Sequence, residues 1–320
     1  MTAIATMPLR QEVESALSGP NVVALGGGHG LAVTLRAVKE YASAITAVVA
    51  VADDGGSSGR LTSGLGLPPP GDIRRCLLAL APEEGVWAEL FAYRFSGGDI
   101  EDHSLGNLLL AALTDITGDF GSAVDRAGKM LDIVGRVVPA ATEPAVLSAV
   151  ARGRSIAGQA EITKARGIES MAIGPATLSA NPSAIEAIRK AHQLILGPGS
   201  LYTSLMAVLL VPGIAEAWQE SVARKYFVLN LIDQDGETLG MSGADHVRAL
   251  ASIAGVGGPG VIVGHDGSLE VPPNHSMVSI EPEDALVWGW DVMTANLAAE
   301  RADWPEHSPS SLSRILAKDI

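Results

Sequence analysis

Two apolar runs near the start of the chain, "NVVAL" at 21–25 and "ITAVVAV" at 45–51, show almost no alternation of polar and apolar residues. A strand with one face in water alternates with period two. A run that does not alternate reads as a strand covered on both faces, the habit of parallel strands inside an α/β sheet. Parallel neighbours need a crossover, and the intervening residues supply one, "GGGHG" as a turn and "LAVTLRAVKEYA" as a helix with spaced apolar positions. The pattern recurs downstream, where helical "SAIEAIRKA" leads to a strand "HQLILG", a turn "PGS" and a helix "LYTSLMAVLL". "KYFVLNLI", "GADHVRALASIAG" and "GVIVG" make a further unit. Between these blocks, "DIRRCLLALA", "VWAELFAYRF", "SLGNLLLAALTDITG" and "DFGSAVDRAGKMLDIV" read as helices, and from about Pro144 the pieces "AVLSAVA", "AGQAEIT" and "ESMAIG" read as strands. The expected fold is α/β, a Rossmann-like, doubly wound and mostly parallel sheet, with a small β-rich insertion laid against one edge. Residues 1–20 read as an N-terminal arm, 21–300 as a single α/β domain and 301–320 as a C-terminal tail.

Composition removes several function classes. The net charge of −14 argues against a general nucleic-acid-binding surface. The single cysteine, Cys76, forms neither an internal disulfide nor a cysteine-rich metal site, which fits a reducing compartment. The first residues lack a basic stretch followed by a continuous apolar one, and no apolar run is long enough to span a bilayer. The expected location is cytoplasmic, with no membrane span.

Chemistry is expected at the turns. "GGGHG" at 26–30 joins a strand to a helix, where glycines bring backbone N–H groups close to a ligand and the helix N-terminus favours an anion. It is not the dinucleotide fingerprint G-x-G-x-x-G, because the last position falls on Leu31 or Val33, and no Gly-Lys-Ser/Thr occurs in the chain. "LGPGSLYTS" at 196–204 is a second such turn, with Ser200 placed to cap a helix and offer its hydroxyl. "HSLGN" at 103–107 is a third, with Ser104 as N-cap and the Asn107 amide able to donate and accept. Strand C-terminal ends share one edge of an open parallel sheet, so the turns at 26–30 and 197–200 and the loop after Val51 should face one crevice. That loop, "ADDGGSSGR" at 52–60, places Asp53 and Asp54 where ribose hydroxyls or a divalent ion would find oxygen ligands. Arg60, Arg74 and Arg75 follow as partners for phosphate, and Asp72 reads as the cap of "IRRCLLALA". Two features read as less specific. His265, Asp266 and His275 have irregular spacing and fit exposed turn residues better than metal ligands, and "HSPSSLSRIL" reads as a polar tail. Trp218, Trp288 and Trp290 suit either a dimer interface or the core.

Together, "VALGGGHGL", "VADDGGSSGRL", "PPGDIRRCL", "HSLGNLLLAAL", "LGPGSLYTS" and "GADHV" resemble the YvcK family of bacterial gluconeogenesis factors, in the superfamily of the CofD 2-phospho-L-lactate transferases. The resemblance runs from about Val22 to Gly264. It implies a CofD-like fold in a regulatory protein without established turnover, which binds UDP-N-acetylglucosamine or UDP-glucose and serves cell shape and wall-precursor supply during gluconeogenic growth. Carried onto this sequence, it implies ligand contacts by Gly27, Gly28, His29 and Gly30, by Asp53, Asp54, Ser58 and Arg60, and by Asp72, Ser104, Asn107, Gly199, Ser200, Tyr202 and Thr203. No cofactor is required; magnesium is the ion that Asp53 and Asp54 would hold. An enzyme of amino-sugar or wall-precursor synthesis is the implied partner, and a homo-oligomer the expected assembly. The competing expectation is a metal-dependent transferase that moves a phospholactyl group from a nucleotide diphosphate, although no nucleophile and base pair stands out in the sequence.

Overall fold

The structure, a computed structural model, describes residues 19–52, 66–98, 100–300 and 304–318. In chain order the first half comprises β1 (Asn21–Gly26), α1 (Gly28–Val38), β2 (Ala44–Val49), α2 (Pro70–Leu80), α3 (Val86–Ala92), α4 (Leu105–Thr117), α5 (Phe120–Met130) and β3 (Arg136–Pro139). There follow β4 (Val146–Ala151), β5 (Arg154–Ala157), α6 (Gln159–Lys164), β6 (Ile168–Gly174), α7 (Pro182–Lys190) and β7 (Gln193–Leu196). The remainder is α8 (Leu201–Leu209), α9 (Ile214–Glu220), β8 (Arg224–Val228), α10 (Gly243–Ala254), β9 (Gly260–His265), α11 (Pro282–Leu286), β10 (Trp290–Ala295) and α12 (Pro309–Leu316).

Seven strands form one all-parallel sheet in the order β10-β9-β8-β7-β1-β2-β3. Successive residues of each strand enter different cores. Val23, Leu25, Leu194, Leu196, Phe227 and Ile262 join one buried cluster, whereas Val22, Ala24, Ile195, Tyr226, Val228, Val261 and Val263 join the other. Burial on both faces is why the runs do not alternate, and each fully buried Val or Leu contributes about 1.5–3 kcal/mol. Helices α1, α2, α5 and α12 cover one face, and α7 to α10 cover the other.

Chain order fixes the functional edge. β1 is followed on one side by β2 and β3, and after the insertion the chain returns to β7 on its other side, so the strand order reverses between β1 and β7. Open parallel sheets bind ligands in the crevice outside the strand C-termini at such a reversal.

Several expectations change. Gln159–Lys164, which overlaps most of the strand-like piece "AGQAEIT", is a helix, and the third strand of the small antiparallel sheet β5-β4-β6 is Arg154–Ala157. This sheet puts Leu147 and Ala149 into the core shared with Leu194 and Leu196, so it lies over a face of the main sheet rather than against its edge. The supposed tail is helix α12, with Ser308 accepting from the Ser311 N–H at 3.3 Å and Leu312, Ile315 and Leu316 buried beside α1. Trp218 and Trp290 are wholly buried, so both fill the core, while Trp288 is 37% exposed. His265 ends β9 at 5% exposure and accepts from the Leu297 N–H at 3.0 Å, so it is no exposed turn residue. Among the described residues no single helix is long and apolar enough to cross a membrane.

Candidate functional site

The turns after β1 and β7 meet, and glycine makes the meeting possible. A Cβ on Gly30 would run into the Pro198 carbonyl, its carbon 2.6 Å away, so the first turn of α1 packs directly on the 197–200 backbone. Thr34 Oγ1 donates to the Gly197 carbonyl at 2.8 Å, and Asn230 holds the Gly199 peptide from both sides, donating at 2.9 Å and accepting at 3.1 Å. A Cβ on Gly27 would collide with the Asp72 carboxylate and lie 3.4 Å from Ser204 Oγ, which brings the start of α2 to the same point. The Ala50 N–H donates to Gly26 at 2.9 Å, so the strand leading to Ala52 ends there too. Asp53, Asp54, Ser58 and Arg60 lie outside the described residues.

Of these turns, the one opening α1 is accessible. Gly28 has φ +64°, a conformation that favours glycine, and its missing side chain would meet nothing within 4 Å. No side chain caps α1, so the N–H groups of its first turn remain for an anion. His29 is largely exposed beside them; the covered part of its ring and then the Arg75 charge hold its pKa below the ordinary value, which favours the neutral ring. Asp72, expected as the cap of its helix, lies instead inside the first turn of α2, which starts two residues earlier at Pro70, and pairs with Arg75 at 2.6 Å.

The "HSLGN" motif stands one side chain behind. Arg74 is 8% exposed; its Nε donates to Asn107 Oδ1 at 3.1 Å and its Nη1 to the Phe91 carbonyl at 3.3 Å. No carboxylate pairs with it among the described residues. Burial, then Arg75 and Arg94, lower its pKa to about 10, so it stays cationic at neutral pH. A Cβ on Gly106 would lie 2.7 Å from Arg74 Cδ and 2.6 Å from the Phe91 carbonyl oxygen, which explains this glycine inside a helix. Ser104 is fully buried and accepts from the Asn107 N–H at 3.2 Å as the α4 cap. Ser104 and Asn107 therefore orient Arg74 and α4, where they had been expected to face ligand directly.

The helix after β7 is filled by the chain itself. Glu237, 2% exposed, lies at the N-terminus of α8, accepting from Ser200 Oγ, from the Tyr202 N–H at 3.1 Å and from Thr203 Oγ1 at 3.3 Å. Burial raises its pKa while these donors pull against the shift. Ser200, Tyr202 and Thr203 are thus engaged with Glu237, and Gly199 with Asn230. Burial, then the charges of Glu237 and Asp245, push the Tyr202 hydroxyl up to about 12. Among the described residues no cluster of three or more His, Cys, Asp or Glu is arranged to hold a metal ion.

A family model described as 2-phospho-L-lactate transferase CofD matches residues 22–294. The chain belongs to the CofD family. Within the CofD family it is similar to proteins named gluconeogenesis factors, the YvcK-type branch. It is 43% identical over 316 residues to a putative gluconeogenesis factor of Nostoc, covering 94% of this chain and 68% of that one. It is 40% identical over 307 residues to the gluconeogenesis factor of Bacillus subtilis, covering 93% and 97%. A crystal structure from Bacillus halodurans superposes with TM-score 0.90 at 38% identity, covering 94% of this chain and all of that one. In this CofD-family member the edge residues that sequence reasoning missed are Glu237, Asn230, Asp233 and Gln234, all beyond β8. Asn230, Gln234 and Glu237 lie 30 or more residues from the turn they hold, Asp233 instead binds Gly240, His275 and Ser276, and no local spacing marks any of them.

Proposed function

We propose that this chain is a regulator that senses a nucleotide sugar, UDP-N-acetylglucosamine or UDP-glucose, and takes part in gluconeogenic growth, as the names of its relatives suggest. The observation that carries this reading is the uncapped N-terminus of α1 at the strand-order reversal, with Gly28 open above it and Arg75, paired with Asp72, beside it. A diphosphate fits there because the helix end and the Arg75 guanidinium complement its charge. Such binding needs no metal, and the ligand would act by changing the affinity for an enzyme of amino-sugar or wall-precursor synthesis, with effects on cell shape. The family match favours a second reading, transfer of a phospholactyl group from a nucleotide diphosphate.

Calorimetric titration with UDP-N-acetylglucosamine, with and without magnesium, tests the first reading beside Gly28→Ala. That methyl group enters open space over the turn, where a phosphate would lie. Micromolar binding by the wild type, weakened at least tenfold in the variant, supports it; no heat with this ligand or UDP-glucose refutes it. Stoichiometric product from a nucleotide-activated phospholactate and a deazaflavin acceptor would establish the second reading instead.

A further inference from the structure

The strand ends on the β8 side enclose a cavity of about 380 Å³ lined by, among others, Ser200, Asn230, Gln234, His275, Trp304 and His307. Asp233, 1% exposed, organises it. Its Oδ1 accepts from His275 Nδ1 and the Ser276 N–H, both at 3.0 Å, and its Oδ2 from the Gly240 N–H at 2.8 Å. The carboxylate takes its bond from a proton on Nδ1, which leaves Nε2 of His275 for a ligand. Trp304 packs against that ring at 5.3 Å between centroids and 86° between planes, while 48% of it remains exposed. The indole is therefore fixed and half open. Gln234 Oε1 lies 3.0 Å from Ser200 Oγ and shares with Glu237 its single hydroxyl proton, which leaves the Gln234 amide N–H groups as donors.

The charges around this cavity say what it does not take. Asp233, Asp235 and Glu237 line it and no lysine or arginine does, so a phosphate is repelled. Each of the three carboxylates already has donors: Asp233 and Glu237 as described, and Asp235 the Arg166 guanidinium at 3.3 Å. Among the described residues no three of these groups are arranged to hold a metal ion. What remains is an aromatic face with neutral donors and acceptors, the chemistry that recognises a hydroxyl-bearing ring.

We propose that this cavity receives the uncharged sugar ring of the ligand, with Trp304 stacked on its apolar face and His275 and Gln234 bonding its hydroxyl groups. This rests on the nucleotide-sugar reading. It gives the crevice a polarity, diphosphate towards α1 and sugar towards β8. The test titrates the full chain separately with UDP and with UDP-N-acetylglucosamine and reads the ratio of the two affinities. Trp304→Ala should lower that ratio about tenfold, the size of an aromatic contact, and Trp304→Phe should keep most of it. Trp304 fluorescence, taken as the difference between wild type and Trp304→Phe, should respond to the sugar nucleotide and not to UDP. An unchanged ratio in Trp304→Ala, or a wild-type ratio near one, overturns the placement while leaving nucleotide binding intact. A wild type that binds neither compound overturns the nucleotide-sugar reading and the placement with it.

Discussion

Replacing Glu237 by alanine should destabilise the fold through one helix end. The substitution leaves the Tyr202 N–H, which donates to Glu237 at 3.1 Å, without that partner in a buried setting. A stranded buried donor costs about 1–3 kcal/mol, and loss of a helix cap about 1 kcal/mol. Ser200 loses less, because Gln234 Oε1 already lies 3.0 Å from its hydroxyl. Relief of the buried charge works the other way, and the net loss should be about 3 kcal/mol, a fall in Tm of about 5 °C for a chain of this length. Glu237→Gln keeps the size and one acceptor oxygen, so it should lose about half as much.

Scanning calorimetry would read both variants, and two further results make the test specific. A small carboxylate such as formate, at about ten times its Kd, should restore about 1.4 kcal/mol to the alanine variant and nothing to the wild type. The pH dependence has a definite sign. Burial raises the Glu237 pKa above 4.5, so above that pH the folded chain holds the proton longer than the unfolded one. Wild-type stability relative to Glu237→Gln must therefore fall as pH rises from about 4.5 through the folded pKa. Wild-type stability in Glu237→Ala, or equal loss in both variants with no formate rescue, would refute the cap.

Two other perturbations test the edge. Gly30→Ala should lower Tm far more than Gly28→Ala, because its methyl group meets the Pro198 backbone whereas the other meets nothing. The expected costs are about 3 kcal/mol or more against about 1 kcal/mol, and equal melting temperatures would show that the two turns are not in contact. His307, 9% exposed, bonds the Leu229 carbonyl through Nε2 at 3.0 Å, and its pKa is lowered to about 4, chiefly by burial. The unfolded chain takes up that proton first, so stability present above pH 6.5 is lost as pH falls towards 4, by about 3 kcal/mol in all. His307→Asn should flatten this acid limb in Tm against pH, and an unchanged slope would assign it to other groups.

The parts of this fold that were legible in the sequence are those decided by residues close together. β1, β2, β7, β8 and β9 announce themselves because burial on both faces demands continuous Val, Leu and Ile. The meeting of the 26–30 and 197–200 turns follows from parallel topology alone. β3 hid behind α5 because its four residues are too few to set a period. Gln159–Lys164 deceived because Ile162 is its one buried residue, leaving no helical stripe to read. The side chains that occupy the edge were illegible for a different reason. Ser200 at the head of "SLYTS" looks like a cap awaiting an anion, and it is Glu237, 37 residues on, that reaches it.

That contrast also gives the crevice its direction. Two helices, α1 and α8, present their N-termini at the same strand-order reversal, and a site with both ends open would accept a diphosphate in either sense. Glu237 closes the α8 end with the chain's own negative charge, while α1 keeps its N–H groups uncapped beside Arg75, whose charge the neighbouring Asp72 balances. One anion position remains, and the carboxylates of the β8 side repel a second. On the nucleotide-sugar reading, an elongated ligand with a charged and an uncharged half then has a single favourable orientation, set by which helix end the chain itself has closed.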